Sequence, residues 1–254
     1  MLDGASALDE ILSRGIVRIP VVWWDPPDLG DPPEFYIDPE SGRPTGVVPE
    51  LATVLASDLG VRLDLVEIPW HLHMTSLLDG AVDMLMSYTN TPKRALRIEF
   101  AGRLLPDEAS ALLHVQGTIS TADDLNQPGR VIAVPRGSSV SDFVRRHFPD
   151  ASIAESDDPI GELEEQRVDA MVECAITKPL LARHPTLRPL AEESGRPMSL
   201  GIEYGHPAIR QGDPKFLNWL NNWLEYHRAV GTIDRWVGDY WTRWMIASDG
   251  RADA

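Results

Sequence analysis

The segment Ser87-Tyr-Thr-Asn-Thr-Pro-Lys-Arg94 gathers residue types that can hold a carboxylate. Ser87 and Thr89 supply hydroxyl donors just after an apolar run, Ala81 to Met86, that predicts a buried strand. Thr91-Pro92 reads as a helix start, and the N–H groups of a first helical turn favour an anion. Arg94, one turn in, adds a planar fork able to grip a carboxylate through two parallel hydrogen bonds. The same residues also fit an N-capped surface helix with a solvated arginine.

Further candidates are scattered along the chain. Val134-Pro-Arg-Gly-Ser-Ser139 predicts a strand, a Gly turn and a helix start. The N–H groups of Gly137 to Val140 would form an anion nest, with the Ser138 and Ser139 hydroxyls as added donors. Trp70-His-Leu-His73 follows a predicted strand, Leu63–Ile68, so His71 can serve as a hydrogen-bond donor or an acid–base group. On a helix His71 and His73 would lie about 200° apart, too far to share a metal. No third ligand follows nearby, and no metal is expected. Trp70 and the pair Trp23-Trp24 can wall an apolar ligand, although one of two strand neighbours must face the core. Cys174 fits a small buried hydrophobe or a nucleophile. Glu173 beside it is a candidate acid or base.

The elements that must position these groups alternate. Strands are predicted near Val17–Val22, Arg62–Val66, Val82–Met86, Ala111–His114, Val131–Val134 and Ala170–Val172. Helices are predicted at Leu8–Ser13, Pro49–Leu59, Met74–Leu78, Val140–His147, Ile160–Glu165, Ile176–Ala182, Lys215–Ala229 and Thr232–Trp244. Repeated strand–helix units imply an α/β fold with mostly parallel, helix-covered sheets. Ligands in such sheets sit beyond the carboxyl ends of strands, where Ser87, Gly137 and Glu173 fall. Asp25 to Pro33 is a Pro-rich loop, rigid surface or local lid. Trp219, Trp223 and Tyr226, and later Trp236, Tyr240 and Trp244, recur at helical spacing and predict a packed C-terminal helix pair.

Composition sets outer bounds. The 254 residues can bury a large core, and the formal charge of −16 argues against nucleic acid. No apolar run approaches the roughly 20 residues of a membrane span, so no membrane insertion is expected. Met1 to Ala7 shows no signal-peptide pattern. That leaves two compartments: periplasmic or extracellular if a leader was removed, cytoplasmic if Met1 is the native start. The single cysteine excludes an internal disulfide. No Gly-x-Ser-x-Gly elbow, P-loop or dinucleotide fingerprint is present, and no cofactor is expected.

Val82-Asp-Met-Leu-Met-Ser87 followed by Thr91-Pro-Lys-Arg94 resembles the signature of the amino-acid-type extracellular solute-binding proteins. Leu8-Asp-Glu-Ile-Leu-Ser-Arg-Gly15, Gly42-Arg-Pro-Thr-Gly46, Gly137-Ser-Ser139, Arg167-Val-Asp-Ala170, Gly212-Asp-Pro214 and Gly231-Thr-Ile233 are similar to that family's motifs, in the same order. The resemblance covers about residues 5 to 245. It implies a two-lobed type II periplasmic-binding-protein-like fold, each lobe a mostly parallel sheet flanked by helices, with two hinge crossings. Lobe one would hold residues 1–105 and 204–254, and lobe two the insert 106–203. The crossings would fall near Arg103–Glu108 and Ser199–Tyr204, with His206-Pro207 stiffening the second. A small carboxylate ligand would lie in the interlobe cleft, its carboxylate clasped by Arg94 and the Gly137 turn. A monomer is expected, partnered by a transporter permease if exported.

The sequence departs from the family at informative places. Cys174 stands where amino-acid binders carry the Asp that pairs the ligand's ammonium, which implies weak binding of ordinary α-amino acids. Gly46-Val-Val48 replaces a Gly-Phe-Asp, and the Arg94 loop is one residue short. Asn126-Gln-Pro-Gly129, Arg183-His-Pro-Thr-Leu187 and the Trp236/Trp241/Trp244 ending are similar to the cyclohexadienyl dehydratases, enzymes on the same fold. Their general acid is a Glu at the position of Thr177. A dehydratase-like lyase or isomerase would therefore have to use Glu173 or His71, whereas a binding protein would use Thr177 only as a ligand contact. Both function classes remain open at the level of sequence.

Overall fold

The computed structural model describes residues 6–22, 30–31, 34–38, 40–174, 176, 178–193 and 197–244. Trp23, Trp24 and Thr177, and most of the loop from Asp25 to Pro33, lie outside the described residues. The chain divides into two compact units. One is Met1–Pro106 with Tyr204–Trp241, and the other is Asp107–Glu203 with Thr242–Ala254. The chain changes unit within two long strands, Leu105–His114 and Gly201–Arg210.

The first unit opens with helix Ala7–Arg14, capped by the Ser6 side chain and closed by Gly15 at φ 70°. Strand Ile16–Val21 follows and pairs in parallel with Arg62–Glu67, across the helix Val47–Leu59. Val17, Ile19 and Val21 are fully buried, as alternation on one strand face requires. The apolar run before Ser87 begins its strand later than expected, at Leu85, and carries it on to Thr89. Asp83 explains the late start. Its carboxylate is buried and takes the Arg18 N–H at 2.8 Å, the Arg18 guanidinium at 2.8 Å and Arg14 at 2.5 Å. Those cations hold its carboxyl below the usual range against the opposing effect of burial. Its N–H also donates to the Arg18 carbonyl at 2.9 Å, so Asp83 is held against Arg18 just before the strand begins.

Every residue of Leu85–Thr89 is buried. Its antiparallel partner is Gly201–Arg210, with Gly205 opposite Thr89 and His206 opposite Tyr88. The register slips between His206 and Ala208, because Pro207 has no N–H for the ladder. The C-terminal helices run Pro214–Ala229 and Thr232–Trp244. The first buries Phe216, Leu220, Trp223, Leu224 and His227. Tyr226, expected in that stripe, is exposed. The stripe is rotated because Asp58 accepts hydrogen bonds from both Trp223 Nε1 (2.8 Å) and His227 Nε2 (2.7 Å).

The second unit holds parallel strands Ser152–Ser156, Val131–Pro135 and Ala170–Glu173, in that order. Leu105–His114 joins antiparallel beside Ala170–Glu173, and Leu187–Pro189 pairs with it in turn. Asp169 ties the sheet edge, accepting from Val131 N at 2.8 Å and Arg130 at 2.7 Å. Phe143, Val144, Ile132, Val134 and Val172 lie in the core beneath helix Val140–His147. The strand carboxyl ends deliver Pro135 to the Gly137 turn and Glu173 to Cys174, as the fold class requires.

Candidate functional site

In the first unit the site grows from the end of strand Leu85–Thr89. Thr91 caps the short helix Pro92–Ala95, accepting from Arg94 N at 3.2 Å, and Pro92 has no N–H to offer. Two of the helix-start donors are therefore used or missing. Arg94 is 8 % exposed. Its guanidinium lies 4.0 Å above the Tyr88 ring, and Nη1 donates to the Thr89 carbonyl at 3.0 Å. Burial pushes the Tyr88 hydroxyl up, against the pull of Arg94, so the ring beneath the cation stays neutral. This is not the solvated arginine of a surface helix.

Trp70 belongs to the same cluster, with its ring 5.3 Å from Tyr88 and 5.0 Å from His73. His73 is buried, bonds the Ile68 carbonyl through Nε2 at 2.9 Å, and is lowered to about 4 by burial. It is a neutral structural group. His71 lies exposed on the one-turn helix Trp70–Leu72. Ser87 and Thr89 are both buried. The Ser87 hydroxyl donates to Glu34 Oε1 at 3.1 Å, a contact spanning 53 residues that sequence reading missed. Gly205 makes room for it, since a Cβ there would overlap the Ser87 hydroxyl.

In the second unit the Gly137 turn has the expected shape, with Gly137 at φ 73°. Three of its donors, the Gly137 and Ser138 N–H groups and the Ser139 hydroxyl, are engaged by the protein itself. Ser138 N donates to the Pro135 carbonyl at 3.2 Å, and the Glu155 carboxylate accepts from the Gly137 N–H, Ser141 and Arg145. Ser139 Oγ donates to Glu203 Oε2 at 2.9 Å, while Ser138 Oγ is buried without a hydrogen-bond partner. Arg136 is exposed and pairs with Asp157 at 2.9 Å.

Cys174 is buried, and the Asp107 carboxylate accepts a hydrogen bond from its thiol. Burial and the charges of Asp107, Glu173 and Glu203 push that thiol well above its ordinary range, which removes the nucleophile reading. Glu173 bends back, its Oε1 accepting from Cys174 N at 2.7 Å. Asp107 is raised to about 6 by burial and by the Glu203 charge, and the Cys174 bond opposes the rise only in part. Asp107 and Glu203 were also missed by sequence reading. The available signal was an acidic residue in each predicted crossing. Glu173 and His71, the two acid–base candidates, lie in different units.

With this geometry in hand, comparison with known proteins is decisive for the family. The sequence profile of the bacterial extracellular solute-binding proteins, family 3, matches residues 28–243. The chain belongs to that family. Among curated relatives, the L-cystine-binding protein TcyJ of Escherichia coli strain K12 is 25% identical over 224 residues, covering 82% of this chain and 80% of the relative. Among solved structures, the ancestral amino acid-binding protein AncCDT-1, a precursor of cyclohexadienyl dehydratase, aligns with a TM-score of 0.74 at 29% identity. That match covers 93% of this chain and 99% of the other. The cysteine-binding protein from Campylobacter jejuni aligns with a TM-score of 0.78 at 20% identity over 98% of both chains, a likeness of fold. The family membership and these alignments give the chain the type II periplasmic-binding fold with its two crossings.

Proposed function

We propose that this protein captures a small carboxylate-bearing ligand of amino-acid type at the Arg94 site and hands it to an ABC transporter. The observation that carries the reading is the buried Arg94 guanidinium. It is oriented by the Tyr88 ring and the Thr89 carbonyl at the carboxyl end of a strand. A guanidinium bonds a carboxylate in its own plane through two parallel hydrogen bonds, and a cation–π contact on its face does not itself consume those N–H groups. Trp70 extends the aromatic surface beside it. The names of two relatives, TcyJ as a cystine binder and AncCDT-1 as an amino acid binder, support the ligand class. The dehydratase alternative gains no support, since Glu173 is turned onto the Cys174 N–H and the family matched is one of solute-binding proteins.

The test is a thermal-shift screen with L-cystine and the proteinogenic amino acids, followed by calorimetry. A ligand at 100 times its Kd should stabilise the fold by about 2.7 kcal/mol. If only molecules without a carboxylate raise the melting temperature, the reading is wrong.

A further inference from the structure

Two arginines of the first unit, Arg103 and Arg228, are brought close together by a glycine. Gly102 N donates to Asn221 Oδ1 at 2.8 Å, which lays residues 101–103 on the helix Pro214–Ala229. Asn221, Leu224 and Arg228 share one face of that helix. A Cβ at Gly102 would come within 3.6 Å of Asn221, 3.4 Å of Leu224 and 3.9 Å of Arg228 Nη1. The bare backbone at Gly102 lets Arg228 approach the chain beside Arg103. The Arg103 guanidinium itself lies 4.8 Å over the Tyr204 ring. His206, on the same strand as Tyr204, donates from Nδ1 to the Ala101 carbonyl at 2.8 Å and meets Phe100 edge-on. Its Nε2 is the ring nitrogen left to take up a proton.

The charges of this cluster oppose one another. Burial and the Arg103 charge push the Arg228 guanidinium below its ordinary range, and Asp234 pulls the other way. Burial lowers His206, the Ala101 bond opposes it, and the charges of Arg103 and Arg228 lower it further. Among the described residues neither guanidinium makes an ion pair or a hydrogen bond. In a chain with 39 acidic and 23 basic residues, that is a local reversal of sign. We propose that Arg103, Arg228 and His206 bind a small dianionic oxyanion of the phosphate or sulfate type, at a site that does not use Arg94. Two guanidiniums carry two positive charges, which a dianion matches and a single carboxylate does not. Each can present two parallel N–H groups to a tetrahedral oxyanion. The bound charge favours a proton on His206 Nε2, which adds a third donor. A free oxyanion fits better than a lipid headgroup, because the net charge of −16 repels an anionic membrane surface as a whole.

The test uses the full chain at constant ionic strength set with chloride, so that screening of the net charge stays fixed. Inorganic phosphate and sulfate are the probes, followed by thermal shift and calorimetry. Either dianion should raise the melting temperature saturably. Arg103→Gln and Arg228→Gln should each weaken binding by about tenfold or more, the scale of one lost charge-assisted hydrogen bond, with circular dichroism showing both variants folded. Sulfate stays a dianion between about pH 7.5 and 5.5, so a pH dependence in that window reports the protein. Its binding should tighten by about threefold or more at the lower pH, and His206→Asn should remove that gain. Wild-type protein with no saturable shift overturns the inference, as does a shift that survives both arginine variants. A shift lost in Arg94→Ala places the anion at the carboxylate anchor and overturns it too. So does protein that binds phosphatidylglycerol vesicles but neither free phosphate nor sulfate, which would make the patch a membrane contact.

Discussion

Replacing Arg94 by Ala tests the anchor, and the structure sets the size of two separate effects. The first is on stability. The guanidinium sits 4.0 Å over Tyr88 and 3.0 Å from the Thr89 carbonyl, and the residue is 8 % exposed. A desolvated cation–π contact is worth about 2 kcal/mol. A hydrogen bond from a charged donor is worth about 1.5–3 kcal/mol. Removing the arginine also relieves the cost of burying its charge, so the net loss should be about 1–3 kcal/mol. That lies inside the roughly 5–15 kcal/mol of an ordinary domain, and the variant should fold. The second effect is on binding. Truncating one side of a buried charged pair costs about 2–5 kcal/mol, or roughly thirty- to several-thousand-fold in Kd. Arg94→Lys keeps the charge and loses the fork, so its loss should fall between. Calorimetry with the tightest-binding amino acid, alongside thermal melts, separates the effects. A folded Arg94→Ala protein with a Kd within threefold of wild type would refute the anchor.

Three further outcomes follow from particular contacts. Gly205→Ala should drive the Ser87 hydroxyl from its place on Glu34 and lower stability by about 1 kcal/mol, the scale of one lost hydrogen bond, read in thermal melts; an unchanged melt would remove that contact from the account. Asp107 has a folded pKa raised to about 6 from an ordinary 3.8, so the stability it withdraws is small near pH 4 and grows progressively as pH rises from there toward 6. Asp107→Asn should therefore gain stability over wild type, on the order of 2 kcal/mol, at pH 7.5 but little at pH 4.5 in denaturant titrations. His73 is the opposite case, buried neutral and lowered to about 4. The unfolded chain takes up its proton below about pH 6.5 and the folded protein does not, so stability falls as pH drops from 6.5 toward 4. His73→Gln should flatten that part of the pH–stability curve, and an unchanged slope would remove His73 from the account.

Much of this protein is legible in the order of its residues. The strand–helix alternation, the Thr91-Pro92 helix start and the Gly137 turn follow from rules that act within a few residues, and each stands in the structure within a few positions of its expected place. The family motifs are likewise short local strings. What only the tertiary structure decided lies in pairs far apart in the chain. Whether Arg94 is solvated or buried depends on Tyr88 and the strand packed around it. That Ser87 meets Glu34 depends on a contact across 53 residues and on the absence of a side chain at Gly205. That Asp107, Glu203 and Cys174 share one environment depends on three segments far apart in the chain packing together. Periodicity and capping report only how a segment divides its own faces between core and solvent. Which charge a face meets, and so which proton or ligand it holds, is fixed by packing between segments, a term that no local pattern contains.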